Sequence, residues 1–168
     1  MQKPVREIER YRTNPVAYKE ATLGERTVLG GVRGVKTELL VKIAVGSAEK
    51  TGIKLFESEN NHVTLYYSAK EGKVVFDRSK AGVKIDCDKK EKDAYIRSVR
   101  VKDKKGIISF RIFLDVSSCE VFINDGEKVM TSNVYTKEKG EGISFFAEGG
   151  EAKIVSLTKY DIEVGCNE

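Results

Sequence analysis

Residues Arg111 to Gly126 read R-I-F-L-D-V-S-S-C-E-V-F-I-N-D-G, and no other stretch of the chain limits the fold as tightly. Ile108, Phe110, Ile112 and Leu114 alternate with Ser109, Arg111, Phe113 and Asp115. That period of two belongs to a strand with one apolar face. Val116-Ser117-Ser118-Cys119 predicts a four-residue reversal that sets Asp115 opposite Glu120. Asn124-Asp125-Gly126 supplies positive-φ residues for a hairpin between Val121-Phe122-Ile123 and Lys128-Val129-Met130. Two consecutive hairpins therefore lie within one short run.

The rest of the chain reads the same way. Both prolines, Pro4 and Pro15, fall in the first fifteen residues, which leaves the remainder free to pair in sheets. Apolar, β-branched or aromatic runs are expected as strands at Glu38–Val45, Ile53–Glu57, His62–Ala69, Lys73–Asp77, Ala94–Val101, Ile107–Asp115, Glu120–Asn124, Lys128–Val134, Gly142–Ala147 and Ala152–Asp161. Glycine-bearing turns at Gly46, Gly52, Glu71-Gly72, Lys105-Gly106, Asn124-Asp125-Gly126 and Gly149-Gly150 separate them. This spacing indicates an all-β chain, an antiparallel two-sheet sandwich of jelly-roll or concanavalin-like type, and not a βαβ fold. Val5, Ile8 and Tyr11 recur at helical spacing after Pro4, whose fixed φ suits a first helical turn, so a short N-terminal helix or linker is expected.

At 168 residues one domain with a genuine core is expected, and no disulfide staple is needed. Cys87, Cys119 and Cys166 cannot all pair within one chain and show neither C-x-x-C nor zinc spacing, so they read as free thiols. Cys119 is placed in a tight turn that can expose it, with an inert small residue the favoured role. With 30 basic and 26 acidic residues interspersed, a net charge of +4 does not point to nucleic acid. The runs Lys89-Lys90-Glu91-Lys92 and Lys102-Asp103-Lys104-Lys105 lack interleaved aromatics and read as solvated loops. No stretch has the apolar length of a membrane span, and Met1 is followed by Gln2-Lys3-Pro4, not by a signal core.

The Arg111–Gly126 run resembles the pattern R-I-F-x-D-x-S-S-x-E-V-F-x-N-D-G of the C-terminal β-sandwich of glycoside hydrolase family 32, the β-fructosidases. Three more segments are similar to that domain. Gln2-Lys3-Pro4-Val5-Arg6-Glu7-Ile8-Glu9 resembles the lead into the sandwich, Asp77-Arg78-Ser79 a D-R-S that follows a strand, and Gly142-Ile143-Ser144-Phe145-Phe146-Ala147 the penultimate strand. Residues 13–35 and 81–105 carry little of the likeness. The resemblance implies a segment at 1–20 that links to and docks on a catalytic domain, followed by the sandwich at 21–168. It also implies that a catalytic propeller precedes Gln2 in the parent chain. Whether that parent is secreted or cytoplasmic stays open.

The family hydrolyses fructosides with retention, which takes a nucleophilic carboxylate and an acid flanking the bond. Its members carry these groups in propeller motifs such as W-M-N-D-P-N-G, R-D-P and E-C. This chain has no tryptophan and none of those motifs. The expectation is that it is not an enzyme by itself. Asp115 and Glu120, if directly opposed, would stand about 4.5–5.5 Å apart at Cβ, close to a retaining pair. A polar turn clamp is the preferred reading, with Ser117 and Ser118 as hydrogen-bond partners and Arg97, Arg100 or Arg111 as counter-charges. Asp77, Arg78 and Ser79 are expected as a strand-end ion pair or turn cap. His62, the single histidine, is expected at a surface strand position without metal ligands beside it.

Alternation sends Phe113 and Phe122 out of the core, which makes them candidates for stacking on a sugar or for cover by a partner. Val5, Ile8 and Tyr11 are the docking candidates. The expected role is a non-catalytic module that stabilises or assembles the propeller of a β-fructosidase acting on sucrose, its phosphate, levan or inulin. The alternative is an independent fructan-binding module, and a hydrolase built on Asp115 and Glu120 is a third, weaker reading. No cofactor or metal is expected. The partners are the same-chain propeller and, as open alternatives, fructan or sucrose and a second copy of the chain.

Overall fold

The computed structural model describes residues 1–84 and 95–164. Among them twelve strands run Arg12–Leu23 (β1), Thr27–Arg33 (β2), Thr37–Ala44 (β3), Lys50–Glu57 (β4), Val63–Ser68 (β5) and Lys73–Asp77 (β6). The series continues with Ile96–Arg100 (β7), Ile107–Asp115 (β8), Ser118–Ile123 (β9), Lys128–Asn133 (β10), Gly142–Glu148 (β11) and Ala152–Ile162 (β12). They form two six-stranded sheets, in the orders β1-β12-β3-β8-β9-β10 and β2-β11-β4-β5-β6-β7, and the strand pairs are antiparallel. The expected sandwich is the fold found.

Alternation accounts for the core. Leu39, Val41 and Ile43 on β3, Phe110, Ile112 and Leu114 on β8, and Cys119, Val121 and Ile123 on β9 face inward from the first sheet. Ile53, Leu65, Val74, Phe76 and Phe145 meet them from the second. Each such side chain contributes about 1.5–3 kcal/mol relative to its exposed state, so a one-residue register slip would present this set to water.

The ten expected strands are present at closely similar bounds, and the sequence reading missed β1 and β2. β1 is an edge strand whose alternation is broken twice. Asn14 and Glu20 take φ of 47° and 54°, and the pairing with β12 shifts register between Thr13 and Val16, around Pro15. These breaks also blunt an otherwise long open edge. In β2, Gly30-Gly31 looks like a turn, yet both residues lie within the strand, and the Tyr18 hydroxyl donates to the Gly30 carbonyl at 2.8 Å. β1 therefore runs through the boundary expected at residue 20, and residues 12–20 lie in the sheet.

The N-terminal turn is a 3-10 helix over Arg6–Tyr11, entered from an extended Val5. A 3-10 turn repeats every three residues, so Val5, Ile8 and Tyr11 stack along one edge. The preceding segment crosses the outer face of the first sheet, where the Gln2 amide donates to the Gly126 carbonyl at 3.0 Å.

Candidate functional site

The outer face of the first sheet holds a charge network that sequence reading did not find. In β3 the inward positions are Leu39, Val41 and Ile43, so Glu38 points outward, yet it is fully buried. Arg12, at the start of β1, donates from Nε and Nη2 to the two carboxylate oxygens at 2.7 and 2.8 Å. Arg111 of β8 donates from Nε at 2.7 Å. The Nη2 atoms of Arg111 and Arg12 reach Glu9 of the 3-10 turn at 3.2 and 3.5 Å. The Arg12 guanidinium also stacks over Tyr160, 4.7 Å from its centroid. The hydrogen bond to Glu38 raises the Arg12 pKa above its ordinary value against the cost of desolvation. A buried carboxylate shared by two arginines thus fixes the N-terminal turn against β1, β3 and β8. The one sequence signal was an acid inside the apolar run T-E-L-L-V-K-I-A.

The Asp115–Glu120 expectation is corrected. The reversal is two residues long, Val116-Ser117, so Asp115 pairs with Ser118 and Glu120 with Phe113. The two residues are diagonal neighbours, a backbone relationship of about 7–8 Å, and not the directly opposed pair whose spacing comes close to a retaining geometry. The Asp115 carboxylate accepts from the Val116 amide at 2.7 Å. Arg111 is engaged by Glu38 and Glu9, not by this turn. The amide of Val134 instead closes the reversal onto the Ser117 carbonyl at 2.9 Å.

Asp77-Arg78-Ser79 forms a turn cap, with the Asp77 carboxylate accepting from the Ser79 amide at 2.8 Å. Arg78 reaches across the sandwich edge to the Asn133 carbonyl at the end of β10, tying the two sheets. His62 is half-buried just before β5, and desolvation, then Lys54 and Lys80, lower its pKa. Cys119 is not exposed: it faces the core at 1% exposure, and burial drives its thiol pKa far upward. Cys87, Cys166 and the Lys89–Lys92 run lie outside the described residues.

Phe122 points outward as expected but is 6% exposed. It stands edge-on to Phe113, with centroids 6.1 Å apart, in a groove that Met1 to Pro4 overlie. Phe113 is half-buried, with the Arg111 guanidinium 5.2 Å from its centroid. Val5 and Tyr11 are 70% and 40% exposed, while Ile8 is half-buried. A second groove of about 610 Å³ opens between Ile8, Phe113, Glu120 and Ile162. Among the described residues no group of three or more His, Cys, Asp or Glu is arranged to hold a metal ion, and no helix is long and apolar enough to cross a membrane.

The family model described as "Glycosyl hydrolases family 32 C terminal" matches residues 7–161. A levanase of Bacillus subtilis (strain 168) is 30% identical over 167 residues, covering 97% of this chain and 24% of the levanase. A sucrose-6-phosphate hydrolase of Staphylococcus xylosus is 29% identical over 167 residues, covering 96% of this chain and 31% of the relative. Among solved structures, fructan 1-exohydrolase IIa from Cichorium intybus shares the fold with a TM-score of 0.77 at 18% identity, over 96% of this chain and 38% of that one. The chain thus spans about a quarter to two fifths of these proteins.

Proposed function

Because the chain belongs to the glycosyl hydrolase family 32 C-terminal family, we propose that it is the sandwich module of a β-fructosidase, non-catalytic itself, which holds and stabilises a catalytic propeller in the same parent chain. The observation that carries this reading is the N-terminal turn. It buries none of its own residues, yet Glu9 and Arg12 anchor it to the sheet through Glu38 and Arg111. Val5, just before this turn, and Tyr11, at its end, are left exposed on the surface. An apolar edge held out in this way suits burial against a partner more than independent life in water. The offset of Asp115 and Glu120 supports the non-catalytic part. The relatives, a levanase and a sucrose-6-phosphate hydrolase, favour a fructosyl linkage in the parent's substrate.

Mixing the chain with a separately expressed upstream catalytic region of its parent tests this. Co-elution, and recovery of fructose release that neither part shows alone or that the catalytic part shows only weakly, are expected. Val5→Asp or Tyr11→Asp should weaken both while leaving the sandwich folded. Steady fructose release by the isolated chain would defeat the reading, as would association untouched by both substitutions.

A further inference from the structure

The groove beside the β8–β9 turn has a composition unlike that of a docking patch. Its walls are Ile8 from the 3-10 turn, Phe113 of β8, Ser118 and Glu120 of β9, Thr131 of β10 and Ile162 of β12. Register brings the polar groups onto one face: Glu120 lies between Phe113 on one side and Thr131 on the other, and Ser118 is two residues along the same strand. Arg111 over Phe113 and the edge-on Phe122 fix the ring. Glu120 is half-buried, and among the described residues no hydrogen bond or ion pair engages its carboxylate.

We infer that this groove binds a small neutral saccharide, with the sugar's C–H surface on Phe113 and its hydroxyls on Glu120, Ser118 and Thr131. The volume, about 610 Å³, falls within the usual range for small-ligand sites of about 300–1,000 Å³. An apolar side chain from a protein partner would strip water from carboxylates and hydroxyls without offering donors, whereas a polyol brings a hydroxyl to each acceptor. Charge sets the class more narrowly. Asp115, Glu120 and Glu163 line the groove against a single base, Lys36, so a phosphorylated sugar is repelled. Arg111 acts as a positioning residue, because it holds Glu9 next to Ile8 on one wall and stacks on Phe113 in another.

Titration calorimetry and saturation-transfer NMR on the isolated chain, with sucrose, 1-kestose, maltotriose and sucrose 6-phosphate as probes, test the site independently of docking. Saturable binding of a neutral sugar is expected, with sucrose 6-phosphate weaker by about tenfold or more. Glu120→Gln and Phe113→Ala should each lower affinity by about tenfold, near 1.4 kcal/mol, and Phe113→Tyr should retain it. Glu120→Gln removes no contact within the fold, so its loss of binding cannot be blamed on unfolding. The inference is overturned if the folded chain binds no neutral sugar, if Glu120→Gln binds as well as the parent, or if the phosphate binds equally. A variant set that spares sugar binding but weakens association with the catalytic region would assign the groove to docking instead, and would also overturn it.

Discussion

Arg111 and Glu38 stand on neighbouring strands with Nε and Oε1 2.7 Å apart, and the carboxylate between Arg111 and Arg12 is sealed from solvent on what is nominally the outer face of a sheet. Removing the Glu38 charge leaves two half-buried arginines without the carboxylate they share. Glu38→Gln should therefore cost about 1.5–3 kcal/mol, a fall in Tm of roughly 3–12 °C for a chain of this size. Urea unfolding measures it. A change under about 1 kcal/mol would show that the network does not hold the turn. Replacing Arg12, Glu38 and Arg111 together with apolar residues should recover much of the loss.

Gly126 has φ of 87°, and a Cβ there would meet the Gln2 carbonyl oxygen at 1.8 Å. Gly106 has φ of 78° with open space around it, so it carries the backbone strain alone. Both alanine variants should lose about 1–2 kcal/mol from that strain. Only Gly126→Ala should also free the N-terminal segment. Limited trypsin digestion after Arg6 should accelerate in Gly126→Ala and not in Gly106→Ala. Equal rates would refute the seating of Gln2 on this turn.

His62 has a lowered pKa in the fold, chiefly through desolvation, with Lys54 and Lys80 adding to it. The unfolded chain therefore binds this proton more readily than the folded one. No penalty exists above the unfolded value of about 6.5. As pH falls below it, stability declines until the lowered folded value is passed, and the contribution then levels. His62→Gln should flatten that part of the stability profile. An unchanged slope between the two variants below neutral pH would count against it.

Cys119 lies against the core, with its thiol held protonated by burial. In a Cys87→Ser, Cys166→Ser background, the remaining thiol should resist a thiol reagent in the native state and react at once in denaturant. Fast native labelling would mean that the β8–β9 hairpin opens far more easily than its packing indicates.

Alternation alone located most of the sandwich, because a strand buried on one face must repeat every two residues. It placed β8 and β6 at their observed bounds, Ile107–Asp115 and Lys73–Asp77. It also turned Phe113 and Phe122 outward and gave Val5, Ile8 and Tyr11 a shared edge. It failed at β1 and β2, where Asn14, Glu20 and Gly30-Gly31 interrupt the period; both strands lie at sheet edges, where such irregularities are most common. The family likeness was legible for a similar reason, because its longest segment is the contiguous run Arg111–Gly126 that also carries the hairpins.

What a linear pattern cannot carry is register and the meeting of distant residues. The spacing from Asp115 to Glu120 allowed a four-residue reversal, and the pairing of Asp115 with Ser118 closed a tighter one, which took the two carboxylates off a common rung. Glu38 was visible only as an acid in an apolar strand. Arg12 and Arg111 reach it from β1 and β8 because the sheet order β1-β12-β3-β8 lays those strands on either side of β3. Cross-strand neighbours are set by topology, so the periodicity of the sequence determined which side chains face outward. Only the tertiary structure decided which of them meet, and that one outward acid is buried.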